Sequence, residues 1–157
     1  MDQIEIVDYQ PRYAAAFKTL NEDWIKKYFE LEEEDMLTLN YPEKILSNGG
    51  FIFIALRNGA AVGTCAIRKK ADQRYELSKM AVAEEAQGLG IGKLLGEAAI
   101  AKAKSLGAPS VYLEGNTSLA SSIHLYKKLG FKEVSGGPSS YKRVNIVMEL
   151  ELDRNQI

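Results

Sequence analysis

The chain carries one cysteine, one histidine and one tryptophan in 157 residues. A lone Cys65 forms no internal disulfide, which excludes a disulfide-stapled scaffold and agrees with a reducing compartment. It lies in an apolar stretch and reads as buried filler rather than as a nucleophile. With His124 as the single imidazole there is no Cys/His cluster, so no metal site is expected. Ser121, Ser122 and His124 fall within one helical turn without an orienting acid, so they form no nucleophilic triad. Charge of either sign is not in excess: 20 Lys and Arg against 21 Asp and Glu leave a formal net charge of −1. That balance argues against a general nucleic-acid binder. No apolar run is long enough to span a bilayer. The opening Met1-Asp2-Gln3-Ile4-Glu5 lacks the basic and apolar regions of a signal peptide, so a cytoplasmic protein is expected. Repeats and low-complexity linkers are also missing. What remains is 46% hydrophobic and 26% charged, the composition of a soluble globular chain. Its length suits one domain over residues 1–157.

The periodicities predict an alternating strand at Gln3 to Asp8. A helix opened by Pro11 follows and carries Tyr13, Phe17, Leu20, Trp24 and Tyr28 at helical spacing. A short helix covers Glu32 to Leu39, and Pro42 begins another turn. Phe51 to Leu56 and Ala61 to Lys69 form a hairpin across Asn58-Gly59, residues suited to a type I′ turn. Arg74 to Val82 is a third strand. A helix from Leu94 to Leu106 places Ile91, Leu94, Leu95 and Ala98 on one face. Ser110 to Glu114 is a strand, and Asn116, Thr117 or Ser118 can cap the helix that buries Leu119, Ile123, Tyr126 and Leu129. Phe131 to Val134 and Val144 to Leu152 close the sheet. The order predicts an α/β layered domain with a mixed sheet flanked by helices.

Gln87-Gly88-Leu89-Gly90-Ile91-Gly92-Lys93 joins the third strand to the long helix. Glycine tolerates the positive φ angles that turn successive N–H groups into one concavity. The first turn of a helix has free N–H groups, and its dipole favours an anion. This stretch reads as a diphosphate cradle. A Walker A loop would need an earlier glycine and Ser or Thr after the lysine, where Leu94 stands. A dinucleotide fingerprint needs different glycine spacing after a first βαβ strand.

Gln87-x-x-Gly90-x-Gly92 after Leu77-Ser78-Lys79-Met80-Ala81-Val82 resembles the central motif of the GCN5-related N-acetyltransferases (GNAT). Leu125-Tyr126-Lys127-Lys128-Leu129-Gly130-Phe131 resembles their next motif. The spacing and the element order match along nearly the whole chain. The resemblance implies a GNAT-like fold with a mixed, mostly antiparallel sheet whose fourth and fifth strands splay apart. It implies acetyl-CoA as cosubstrate, with its diphosphate on Gln87, Gly88, Leu89, Gly90, Ile91, Gly92 and Lys93. Many relatives carry Arg or Lys inside this turn; here none precedes Lys93. The pantetheine arm is expected to pair with the open strand edge at Met80, Ala81 and Val82, amide against amide. An N–H of Met80 or Val82 is the family-style donor to the acyl oxygen.

The same resemblance places Tyr126 as general acid toward the leaving thiolate. Glu76, four residues before Met80, is the candidate general base, with an exposed strand-end carboxylate as the structural alternative. Many family members carry Asn seven residues before the Tyr and Ala four before it, where this chain has Leu119 and Ser122. Asn116 stands further upstream as a pantetheine contact or a helix cap. The acidic run Glu30, Glu32, Glu33, Glu34 and Asp35 reads as a solvated helix face. Trp24, Tyr28 and Phe29 read as core packing beside an acceptor pocket. The function expected is direct acetyl transfer to a small-molecule or peptide amine. The alternatives are an acyl-CoA sensor of the same fold without turnover and, less favoured, a nucleotide-binding αβ domain. A monomer or a homodimer paired through Asn145 to Leu152 fits equally.

Overall fold

A computed structural model describes residues 2–136, 139 and 141–152. The chain runs β1 (Ile4–Asp8), a 3₁₀ turn at Pro11–Tyr13, α1 (Ala14–Tyr28), α2 (Glu33–Asn40) and α3 (Glu43–Ser47). It continues through β2 (Phe51–Arg57), β3 (Ala60–Lys69), β4 (Tyr75–Val82), α4 (Ile91–Ser105), β5 (Ser110–Gly115), α5 (Ala120–Leu129), β6 (Lys132–Val134) and β7 (Ile146–Glu151). The seven strands form one sheet in the order β1-β2-β3-β4-β5-β7-β6. Every neighbouring pair is antiparallel except β4 and β5. Asn58 and Gly59 take the positive φ angles that the hairpin between β2 and β3 requires.

Each face of the sheet carries its own apolar layer. On one side Phe53, Cys65, Ile67, Leu77, Val111 and Met148 pack under Ile91, Leu95, Ala99 and Ala103 of α4. On the other, Ile52, Ile54, Leu56 and Ala66 pack against Phe17 and Ile25 of α1 and Leu39 of α2. Burial of each large aliphatic side chain stabilises by roughly 1.5–3 kcal/mol. Cys65 is fully enclosed, and burial pushes its thiol well above the ordinary range.

Two irregularities shape the middle of the sheet. The parallel ladder joins only Tyr75, Glu76 and Leu77 to Val111, Tyr112 and Leu113. Beyond that point β4 and β5 separate, as the resemblance implied. In addition, β4 carries one residue more than β3 between the pairs Ala66–Ser78 and Thr64–Ala81. Lys79 absorbs it with φ +53°. A left-handed residue with a side chain costs about 1–2 kcal/mol, and this one is held at both ends. The Thr64 hydroxyl donates to its carbonyl at 2.9 Å. Its ammonium donates to Asp35 at 3.1 Å and to the Tyr141 hydroxyl at 3.2 Å. Asn21, buried on α1, donates in turn to Thr64 at 3.1 Å.

The bulge inverts the alternation of β4. Leu77 packs toward α4 before it, and Met80 and Val82 do so after it. Glu76 therefore does not share a face with Met80, although four residues of regular strand predict that it does.

Other expectations shift. The helix after the glycines starts at Ile91, so Gly92 and Lys93 belong to its first turn. Leu94 is 40% exposed, because the buried stripe runs through Ile91, Leu95, Gly96 and Ala99. Asn116, Thr117 and Ser118 do not cap α5, whose N-cap position is Leu119 with no side-chain bond. Leu119, Ile123, Tyr126 and Leu129 are half-buried rather than enclosed. The last strand is not a wholly free edge, since β7 pairs with β5 along its length and with β6 over Val147 to Glu149.

Candidate active site

Two clefts meet where β4 and β5 part. The larger holds about 770 Å³. It is bounded by Met80, Ala81 and Val82 of β4, by Gln87, Gly88, Gly90, Ile91, Gly92 and Lys93, and by the opening turn of α5. Gly88 (φ +84°) and Gly90 (φ +78°) have open space where a Cβ would stand. Conformation, not crowding, demands glycine there. Gly90 is the N-cap of α4 and offers no side-chain oxygen. The N–H groups of Ile91, Gly92 and Lys93 thus lack an intrahelical acceptor. Gly92 serves another purpose. Its φ is not positive, and a Cβ would lie 3.1 Å from Leu125, so the absent side chain lets α5 approach α4.

The uncapped start of α5 faces the same space, with Ser118, Ser121 and Ser122 on its wall. Two helix N-termini without capping side chains thus converge on one cleft, and no Asp or Glu lines it among the described residues. The open edge is legible from hydrogen bonds. Ala83 N–H donates across to Val62 of β3 at 2.7 Å, so Val82 directs its backbone groups the other way. The Val82 carbonyl receives the Gln87 side-chain amide at 3.2 Å.

The smaller cleft, about 110 Å³, lies on the α1 side and continues past Met80, Trp24 and Leu119, which border both. Glu76, Glu114, Tyr126 and Asn116 line it together, under walls formed by Trp24, Ile25, Phe29 and Tyr141. Tyr126 packs edge-on against Phe131 with ring centres 6.1 Å apart. Burial pushes its phenol well above the ordinary range, so the hydroxyl keeps its proton through neutral and moderately alkaline pH. Glu76 is 6% exposed and sits 3.5 Å from Lys70, which overturns its reading as an exposed strand-end carboxylate. Glu114 accepts from Ser139 at 3.0 Å. Burial first and the charge of Glu76 second raise its carboxyl above the usual range. The Ser78 hydroxyl on the same wall is buried without a partner among the described residues.

Asn116 belongs to this cleft and not to the cradle. Its amide donates to the Arg143 carbonyl at 2.6 Å, and its oxygen accepts from Ser118 N–H at 2.8 Å. Both ends are therefore engaged in holding the loop before α5. Leu89, 43% exposed, is not among the residues lining the cradle.

The acidic run is not uniformly solvated. Asp35 is fully buried and accepts from Arg143 at 2.7 and 2.8 Å and from Lys79 at 3.1 Å. Glu32 accepts from Arg143 at 3.2 Å and forms a capping box with Asp35. Burial alone would raise the Asp35 carboxyl, but bonds from Arg143, the Glu32 N–H and Lys79 hold it at about 2. This cluster joins α2, the β4 bulge and the segment before β7. It was missed in the sequence because its members lie 44 and 108 positions apart. Glu114 had a readable signal, a charge ending an otherwise apolar strand.

The family model "Acetyltransferase (GNAT) family" matches residues 15–131. The uncharacterized N-acetyltransferase YvbK of Bacillus subtilis (strain 168) is 32% identical over 117 residues, spanning 68% of this chain and 76% of that protein. A GNAT-family acetyltransferase structure from Staphylococcus aureus Mu50 superposes with a TM-score of 0.88 at 23% identity, covering 96% of this chain and 100% of the other. The Salmonella typhimurium protein yncA, solved with its cofactor acetyl-CoA, superposes with a TM-score of 0.79 at 20% identity, covering 98% and 96%. At those identities the structures speak for the fold.

Proposed function

Since this chain belongs to the GNAT family of acetyltransferases, whose cosubstrate is acetyl-CoA, we propose that residues 1–157 form one domain acetylating an amine directly from that donor. The observation that carries this reading is the junction of the two clefts at Met80. One offers bare amides and no acid, and the other offers two carboxylates and a protonated phenol. The donor set fits coenzyme A. The α4 and α5 N-termini suit its diphosphate, and the Met80–Val82 edge suits the two amides of its pantetheine. When bound, acetyl-CoA supplies an activated acyl carbon and a thiol leaving group.

The chain's own groups supply the rest. An alkylammonium must lose a proton before its nitrogen can attack. Glu114, raised by burial and by Glu76, is the base. Glu76, held by Lys70, is the neighbouring charge that keeps Glu114 basic. The Val82 N–H on the open edge is the donor toward developing negative charge on the acyl oxygen. Tyr126 holds the proton for the departing sulfur. Cys65 is enclosed and takes no part, so no covalent acyl-enzyme forms. Trp24, Phe29 and Tyr141 frame the acceptor's body, and the cleft's size suits one small amine or the end residue of a peptide. The buried thiol fits work in a reducing cytoplasm.

An amine panel scored by release of free CoA thiol tests the reading. Turnover is expected with at least one primary amine. Tyr126→Phe and Glu114→Gln should lower kcat while leaving the dissociation constant of CoA within about twofold. Tight CoA binding with no thiol release from any amine would leave a non-catalytic acyl-CoA sensor as the better description.

A further inference from the structure

Two polar groups in the smaller cleft have no task in the transfer chemistry. One is the Arg68 guanidinium of β3. In the ladder between β3 and β4, Arg68 stands directly across from Glu76, and Ala66 across from Ser78. Side chains opposite or diagonal on one face of such a ladder lie within reach of one another. Glu76 nevertheless takes its ion pair from Lys70. Arg68 is half-buried on the cleft wall and takes part in no ion pair among the described residues. The other cations lining the cleft, Lys79 and Arg143, are both committed to Asp35. The second group is the Ser78 hydroxyl, buried on the same wall without a partner among the described residues. A guanidinium only donates, and this hydroxyl has a proton to place, so both call for an acceptor oxygen. Burial raises the Glu114 carboxyl most, and the nearby charge of Arg68 pulls against that rise. The base and the spare cation therefore share one small space.

We propose that Arg68, with Ser78 beside it, receives a carboxylate carried by the acceptor, so that the amine acetylated is the α-amine of a free amino acid. This rests on the reading of the cleft as the acceptor site with Glu114 as base. A guanidinium fork matches a carboxylate with two parallel N–H···O bonds, and the Ser78 hydroxyl adds a third donor. In an α-amino acid the nitrogen and the carboxylate hang from one carbon. A cleft of about 110 Å³ lined by a carboxylate base and an unpaired guanidinium suits both at once. The amine meets Glu114 and the carboxylate meets Arg68, so each end of the zwitterion faces its opposite charge. The remaining substituent falls against Trp24, Ile25 and Phe29, which suits an apolar side chain. A peptide N-terminus would offer a neutral carbonyl in place of the carboxylate and leave the guanidinium unpaired.

Thiol release from acetyl-CoA with matched acceptors tests this: leucine, methionine and phenylalanine, each beside its carboxamide and its decarboxylated amine. The unaltered protein is expected to favour at least one free acid over its carboxamide by about tenfold or more in kcat/KM. Arg68→Gln should bring that ratio close to one, chiefly through the KM of the acid. Arg68→Lys should keep part of it, since an ammonium retains the charge without the fork. Ser78→Ala should reduce it severalfold. Arg68→Gln should keep the parent melting temperature and CoA dissociation constant, readouts that a purely structural role would move. Three results overturn the amino-acid assignment alone and leave acetyl transfer standing: equal kcat/KM for acid and carboxamide in the unaltered protein, turnover confined to amines outside the three free acids, or a preference that survives Arg68→Gln. Release of no thiol from any amine, the wider panel included, overturns the acetyl-transfer reading, and the assignment with it.

Discussion

The two clefts are built by opposite means. The larger presents main-chain N–H groups, and its defining side chains are missing ones: Gly88 and Gly90 for their φ angles, Gly92 for the approach of α5. The smaller is made of side chains with distant partners. Glu76 comes from β4, Glu114 from β5, Tyr126 from α5, and Asp35 on α2 holds Lys79 and Arg143 around them. A cradle of amides can be fixed by one short stretch of chain. A constellation of charges needs the whole fold to assemble it, and it can vary without touching the donor side.

That contrast can be broken from either side. The largest effect is expected at Glu114. Glu114→Gln should lower kcat about 10²–10⁴-fold with CoA affinity unchanged, measured by thiol release and calorimetry. In the parent, activity should fall as pH drops through the raised Glu114 value, at higher pH than for an ordinary glutamate, and the variant should lose that limb. Next comes Asp35→Ala, which strands Arg143 and Lys79 in a buried setting. Chemical denaturation should report a loss of about 3–5 kcal/mol. Where the variant is still folded, the acceptor KM should rise far more than the CoA dissociation constant. A CoA site that collapses in step would erase the distinction between the clefts.

Acid titration of stability should show the same carboxylate at smaller amplitude. Asp35 has a folded value of about 2 against 3.8 for the free side chain, so its stabilisation is complete above pH 4 and fades between those values. The span corresponds to about 2 kcal/mol, and Asp35→Asn should flatten that part of the curve. The smallest effect belongs to Gly90→Ala, which meets no neighbour but must hold φ +78°. It should cost about 1 kcal/mol in stability and weaken CoA while leaving the acceptor KM alone.

The difference also explains what could be read from the residues. Element order, the hairpin at Asn58-Gly59 and the glycine turn between β4 and α4 follow from local patterns, and each stands where those patterns placed it. The face of Glu76 did not follow, because a single residue inserted at Lys79 inverts a period-two alternation and nothing in Leu77-Ser78-Lys79-Met80 announces it. Asp35 was hidden within a run of acids whose neighbours Glu33 and Glu34 do face solvent. Its burial depends on Arg143, 108 positions away. Asn116 was legible as a polar loop residue, yet its partner, the Arg143 carbonyl, was not.

The Gln87 carboxamide resting on the Val82 carbonyl has a bearing on how the molecule behaves among its own copies. Unsatisfied strand borders invite foreign strands and seed association. Here the vacant border lies in the interior of a sheet, sheltered by helices, and its outermost oxygen already wears an amide from the same chain. Inside the sheet, β4 and β5 stay joined by the ladder at Tyr75–Leu77, so a foreign strand has no continuous edge to extend. The gap in the sheet is thus shielded from its own copies by geometry already present in the chain.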